Sequence, residues 1–218
     1  MQQIDATAVD RLGIPRLLLM DHAGLAVATA ALGMISRPDA ALLLCCGSGF
    51  NGGDGLAAAR HLLNHRVRLH LVLACRRTAL RGEPAIFAVI LQRLGLPFIE
   101  WEPGGAGIPQ QVGRAMAEAD LLVDALLGLG LRGPVREPTA SLITLMNQSG
   151  KPILAVDLPS GLDGDTGAVH GVAARATTTV TFGRVKHGCL IGEGPAHTGA
   201  LLVEPITFPR HLLEPTTA

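Results

Sequence analysis

The chain has no tyrosine, one tryptophan and five phenylalanines among its 218 residues. A surface that stacks on nucleic-acid bases needs more aromatics than that. Charge is sparse as well. Asp, Glu, Lys and Arg together make up 17%, acids and bases balance at 18 each, and no basic tail stands apart. Such a chain lacks the field that draws a protein to nucleic acid, so no nucleic-acid partner is expected. Four cysteines occur, Cys45, Cys46, Cys75 and Cys189, without a C-x-x-C pair. They read as small buried hydrophobes of a reducing compartment, with Cys45 and Cys46 on opposite faces of one strand. Met1 to Asp10 lacks the basic-then-apolar pattern of a signal peptide. No apolar run is read as approaching the ~20 residues of a membrane span. The expectation is a soluble, cytoplasmic protein with no membrane partner.

What is abundant is apolar sequence, 48% of the chain, enough for a single large core. One domain over residues 1–218 is expected. Strand-length apolar runs alternate with amphipathic stretches of helix length. Helices are predicted over Ile4–Leu12 and Ile14–Met34, the second with Pro15 near its start, where proline is tolerated. Ala40–Cys46 reads as a buried strand, followed by a glycine-rich turn, Gly47–Gly55, and a helix from about Gly55 to Asn64. Arg66–Ala74, Phe98–Trp101, Asp120–Leu127 and Ile153–Asp157 read as further strands. Helices over Glu83–Leu94, Gln110–Glu118 and Thr139–Gln148 separate them. The last third is strand-rich, with Thr178–Phe182 and Leu201–Thr207, and Glu214–Ala218 reads as a frayed end. Strand, helix, strand in repetition means a parallel sheet covered on both faces. Right-handed crossovers then gather the loops after the strand C-termini along one edge, where ligands bind. The loops that matter follow Cys46, Leu127 and Asp157.

The first of these runs from Gly47 to Gly55 and carries five glycines in nine residues. It fits G-x-G-x-x-G in the context of strand, turn and helix, so its backbone N–H groups could meet an anion. Asp54 argues against a plain dinucleotide fingerprint, because a carboxylate there repels a pyrophosphate. The acidic residue expected about 20 positions on is replaced by Ala74-Cys75-Arg76-Arg77. In the second loop, Asp124 lies within an apolar strand. A buried carboxylate costs several kcal/mol unless it is compensated, either by a cation or by local backbone donors. The third loop, Val156 to Gly167, places Asp157 at a strand end and Ser160 in a Pro/Gly turn. Asn51, Asp124, Asp157 and Ser160 are hard oxygen donors, suited to a hard cation rather than zinc. The residues alone imply a nucleotide-like ligand, carboxylate acid/base chemistry and a bound cation.

These motifs resemble the NAD(P)H-hydrate epimerase family, also called the YjeF N-terminal domain family. Its loop G-x-G-N-N-G-G-D-G is similar to Gly47-Ser48-Gly49-Phe50-Asn51-Gly52-Gly53-Asp54-Gly55. Its V-D-x-P-S-G-L-D-x-D-T-G resembles Val156 to Gly167, and its D-A-x-x-G-T-G-L resembles Asp124 to Leu131. Gly13-Ile14-Pro15, Leu19 to Gly24 and Thr181 to Gly188 are similar too, so the resemblance covers nearly the whole chain. It implies an α/β fold, a three-layer α/β/α Rossmann-like sandwich with a mostly parallel central sheet. It also implies a homodimer that interconverts the R and S epimers of hydrated NADH and NADPH and works with a separate NAD(P)H-hydrate dehydratase. By position, the implied potassium ligands are Asn51, Asp124 and Ser160. The implied substrate contacts are Phe50, Asn51, Gly52, Gly53, Asp54, Gly128, Leu129, Gly130, Leu131, Arg132, Gly133, Pro134 and Asp157, with Asp157 as the catalytic acid/base. Phe50 stands where the family loop has its first Asn, and Leu129 where it has Thr. Both make the pocket more apolar.

Two other readings compete. Arg76 and Arg77 could hold the 2′-phosphate of an NADP-dependent oxidoreductase, but no tyrosine and no catalytic His/Lys pair accompanies them. A non-catalytic protein- or RNA-binding module on the same fold would have shed its polar site, whereas Asn51, Asp124, Asp157 and Ser160 are all present.

Overall fold

The alternation of apolar runs resolves into seven strands in a computed structural model that describes residues 2–102 and 108–214. They are β1 (Ala41–Cys46), β2 (Arg68–Leu73), β3 (Ile99–Glu100), β4 (Leu121–Ala125), β5 (Ile153–Val156), β6 (Thr178–Phe182) and β7 (Ala200–Glu204). The helices are α1 (Gln2–Ala6), α2 (Arg16–Met34), α3 (Phe50–Leu62), α4 (Gly82–Arg93), α5 (Gln110–Glu118), α6 (Thr139–Gln148), α7 (Gly194–Thr198) and α8 (Arg210–Leu213). A π-helical turn, Thr7–Arg11, continues α1. One sheet holds all seven strands in the order β3-β2-β1-β4-β5-β6-β7, and every neighbouring pair is parallel. The reading of a mostly parallel sheet is met in full.

Both sheet faces are covered, as an all-parallel sheet requires. Leu42, Leu44 and Cys46 pack with α2, α3 and α4, while Leu43 and Cys45 pack with α5 and α6. The period of two along β1 therefore divides one apolar run between two cores. Each fully buried leucine contributes about 2 kcal/mol of transfer free energy, so a central strand of this composition is anchored from both sides. All four cysteines are free and buried.

Several boundaries differ from the sequence expectation. The helix expected near Gly55 starts at Phe50, because the glycines serve packing rather than an open turn. A Cβ on Gly52 would fall 1.9 Å from the Gly47 carbonyl oxygen, and one on Gly55 would fall 2.5 Å from the Ala125 Cβ. Close approach to β1 and β4 outweighs the poor helix propensity of glycine. The last strand ends at Glu204 rather than Thr207, since Pro205 has no N–H for the ladder and Ile206 has φ 45°. The short α7 and α8 were not expected. Residues 215–218 of the stretch read as a frayed end lie outside the described residues.

The expectation on apolar runs is also corrected. α2 has 19 residues and a mean hydropathy of 1.5, long and apolar enough by length and composition to cross a membrane. Here it packs one face into the core. Ala23, Gly24, Val27, Ala28 and Ala31 are buried. α2 lies so close to α3 that a Cβ on Gly24 would fall 2.4 Å from the Ala57 Cβ.

Candidate functional site

The strand order reverses direction between β1 and β4, and that switch point opens a crevice at the C-terminal edge of the sheet. A cavity of about 940 Å³ occupies it. Its walls come from the three loops singled out in the sequence, joined by residues of α1 and α2. Of the residues expected to contact substrate, Phe50, Asn51, Asp54, Gly128, Leu129, Gly130, Leu131, Arg132, Pro134 and Asp157 line it. Gly52 and Gly53 lie behind the wall instead. Gly52 closes on Gly47, and Gly53 packs against Met20 and Pro84. Gly133 does not line the cavity but bends the loop, with φ 68°.

Beneath the wall, three loops meet at the backbone of Leu127. The Asn51 amide donates to the Leu127 carbonyl at 2.9 Å. The Leu127 N–H donates to Ser160 Oγ at 2.8 Å, and Ser160 Oγ lies 3.2 Å from the Leu127 carbonyl. Asp124, fully buried, accepts from the Ser160 N–H at 2.8 Å and from the Leu126 N–H at 3.3 Å. The local backbone donors foreseen as one way of compensating Asp124 are thus present. Burial nevertheless dominates and pushes its carboxyl up to about 6, with the Ser160 and Leu126 hydrogen bonds pulling the other way. One polar atom in this cluster is orphaned. Asn51 Oδ1 is buried without a hydrogen-bond partner, an arrangement that calls for a missing donor or cation.

Asp157 leaves β5 in the left-handed region, with φ 67°. Its N–H donates to the Val180 carbonyl at 2.7 Å, which pins the turn to β6. Asp157 Oδ1 accepts from the Phe182 N–H at 3.1 Å and from Lys186 Nζ. Lys186 is buried, and its ammonium also donates to Thr181 Oγ1 at 3.0 Å and to the Phe182 carbonyl at 3.1 Å. The lysine belongs to the Thr181–Gly188 segment, yet no role was assigned to it from sequence. The signal available was a lone lysine just past a strand with two inward threonines.

Asp5, Asp54 and Glu137 also line the cavity. Burial pushes Asp54 well above the usual carboxylate range, the Asp157 charge adds to that shift, and Lys186 opposes it. Asp5, on α1, is raised as well, by burial first and then by Asp157. Sequence reasoning missed Asp5, because nothing local connects α1 to the sheet edge. The arginines proposed for a 2′-phosphate are engaged elsewhere. Arg76 Nε lies 2.6 Å from Glu102, and Arg77 lies 3.9 Å from Glu100 and over the Phe98 ring. Neither arginine lines the cavity.

A Rossmann-like order of strands with buried oxygen donors and a carboxylate–ammonium pair at the switch point defines an α/β domain built around a small-molecule crevice. The family model described as YjeF-related protein N-terminus matches residues 16–188, and the chain belongs to that family. The bifunctional NAD(P)H-hydrate repair enzyme Nnr of Salinibacter ruber is 39% identical over 98% of this chain. The enzyme of the same name from Pyrobaculum aerophilum is 43% identical over 91% of it. The chain spans about two fifths of the length of these relatives, 41% and 39%. The NAD(P)H-hydrate epimerase of Weissella koreensis is 34% identical, covering 94% of this chain and 88% of that one. Among solved structures, yeast ynu0 matches with a TM-score of 0.79 at 23% identity, over 97% of this chain and 88% of its own. That likeness speaks for the fold.

Proposed function

We propose that this chain is an isomerase that interconverts the R and S epimers of hydrated NADH and NADPH, as part of nicotinamide cofactor repair. The observation that carries the reading is the Asp157–Lys186 pair on the wall of a cavity sized for a dinucleotide. The names of the relatives, the Weissella koreensis epimerase above all, support the same reaction.

The chemistry suits the residues. The hydrated carbon is bonded both to a hydroxyl and to the ring nitrogen. The nitrogen lone pair expels the hydroxyl as it takes up a proton, leaving water and a planar iminium. Water then returns from the opposite face and loses a proton. Asp157 is the group proposed to give the proton to the departing hydroxyl and to take one back from the returning water, ending as it began. Lys186 holds its carboxylate in place and balances its charge. Asp54 keeps a proton at a pH where ordinary carboxyls have lost theirs, so it can donate a hydrogen bond to the departing or arriving oxygen. The carboxylate left on Asp157 after that transfer favours the positive iminium over the neutral ground state.

Asn51, Asp124 and Ser160 are the proposed ligands of a potassium ion. The donor set is all oxygen, and the orphaned Asn51 Oδ1 supplies the specific support. When bound, the ion would balance the buried Asp124 charge and order the loops around Leu127. A homodimer, a separate NAD(P)H-hydrate dehydratase as working partner, and a cytoplasmic location complete the proposal; the family resemblance supports the first two, and four free cysteines fit the third.

The test incubates purified protein with the R epimer of hydrated NADPH, with and without potassium, and follows the S epimer by chromatography. Conversion far above the spontaneous rate, lost in Asp157→Asn with the fold retained, is the expected result. Full activity in Asp157→Asn would remove its catalytic role, and absence of any acceleration would remove the epimerase.

A further inference from the structure

Phe50 is the first residue of α3, and 57% of it is exposed, although it lines the cavity. A large aromatic left this open at a crevice lip, rather than packed, is unusual in a chain with so few aromatics. Its ring is not idle. The Arg16 guanidinium lies 5.7 Å from the ring centroid, so a cation stands over one face of the ring. The backing holds the ring as a flat wall.

Buried and exposed charges both line the cavity. Lys186 is buried, and Asp157 and Asp54 are half-buried. Arg16, Arg132 and Arg136 are exposed on the same wall together with Glu137, and among the described residues none of the three arginines lies within ion-pair distance of a carboxylate. A hydrated nicotinamide dinucleotide carries partners for both kinds of charge. Its reacting ring becomes cationic, and its pyrophosphate and adenosine trail behind as anion and flat base. The hydrated ring is puckered at its saturated carbons, whereas adenine is planar and stacks.

On the reading of the site as an epimerase centre, we propose that Phe50, backed by Arg16, is the platform for the adenine of the substrate, with Arg132 and Arg136 facing its phosphates. Phe50 then sets a preference for dinucleotide over mononucleotide hydrates in this chain. Stacking a base on an aromatic side chain is worth roughly five- to tenfold in affinity near the low end of measured ranges.

The test measures kcat and KM on hydrated NADH and on hydrated nicotinamide mononucleotide, which lacks adenosine, for wild type, Phe50→Ala and Phe50→Trp. The ratio of kcat/KM for the two substrates is expected to fall about five- to tenfold in Phe50→Ala, through KM for the dinucleotide, and to be kept in Phe50→Trp. An unchanged ratio, or an equal loss on both substrates, overturns the platform. Calorimetric titration with ADP-ribose, which carries the adenine and both phosphates but cannot react, is independent of turnover. Weaker binding to Phe50→Ala than to wild type supports the platform even if neither hydrate is epimerised, in which case the epimerase reading alone fails. Equal binding, or none to wild type, overturns the platform whatever the turnover.

Discussion

Lys186 and Asp157 form a pair whose stability cost can be read from its surroundings. The lysine side chain is 3% exposed and the aspartate 16%. Lys186→Met keeps the length of the side chain and removes the ammonium. Asp157 then retains the Phe182 N–H at 3.1 Å and the Thr181 hydroxyl at 3.4 Å. Removing one partner of a buried pair costs about 3–5 kcal/mol. The residual donors and partial solvent contact place this case at the low end, about 3 kcal/mol. For a chain of this length that lowers Tm by about 9 °C. Asp157→Asn/Lys186→Met removes both charges and should regain about 2 kcal/mol of the loss. Asn tolerates the positive φ of Asp157, so that substitution adds little backbone strain. Urea denaturation of the four proteins at pH 7, followed by circular dichroism, gives the cycle. A loss under about 1 kcal/mol in Lys186→Met, with additive double-variant behaviour, would refute the coupling.

Other outcomes follow from the same geometry. Asp163 accepts from the Thr166 N–H at 2.8 Å, the Thr166 hydroxyl at 2.9 Å and the Asp165 N–H at 3.0 Å, with His170 Nε2 at 3.1 Å. These bonds hold its carboxyl well below the usual range. Because the folded state binds this proton more weakly than the unfolded chain, the stabilisation is complete above about pH 4 and is lost as pH falls toward the folded pKa. Asp163→Asn should cost about 1.5 kcal/mol at pH 7, a gap that narrows by pH 2 in denaturation curves. Gly52→Ala, with its Cβ 1.9 Å from the Gly47 carbonyl oxygen, should lose about 3 kcal/mol. Gly49→Ala meets nothing within 4 Å and should stay within about 0.5 kcal/mol; equal thermal shifts would refute the packing role. Burial pushes the Cys45 and Cys46 thiols far up. Iodoacetamide at pH 8 should leave both unmodified in the native protein and label them in urea, as read by mass spectrometry.

The strands were legible because the apolar runs are short and bounded by turn residues, and a parallel sheet buries both faces of its central strands. β1 shows the limit of that reading. Its run from Ala41 to Cys46 is apolar throughout, so only the structure shows which residues join which core. The start of α3 was misplaced because five glycines signal a loop by local propensity. For Gly47, Gly52, Gly53 and Gly55 the reason is tertiary, the nearness of Leu126, Gly47, Met20 and Ala125 in turn, whereas Gly49 meets nothing within 4 Å. The length of α2 as an apolar helix was seen, but its apolarity was discounted. Part of that composition reflects the closeness of α2 and α3 at Gly24, where a Cβ would fall 2.4 Å from the Ala57 Cβ.

The candidate site was legible where chemistry is local and hidden where it is long-range. Asp124 and Asp157 stand out as carboxylates at the ends of apolar strands, and Asn51 and Ser160 stand out in the turns beside them. Lys186 follows Asp157 by 29 residues, and no spacing rule joins them. Their meeting needs β5 and β6 to be neighbours and the Asp157 turn to be tied to Val180. The same dependence explains the Leu127 cluster. Asn51 and Ser160 reach one carbonyl because β1, β4 and β5 are adjacent, which places the loops after three strands side by side. A change that loosens this adjacency, such as a larger residue at Gly47, where a Cβ would fall 2.0 Å from the Leu126 carbonyl oxygen, should disturb the Asn51, Asp124 and Ser160 cluster without touching any of its members. The placement of the polar atoms is thus a property of the sheet edge as a whole, and the glycines that let its loops close belong to the site as much as the groups that face the cavity.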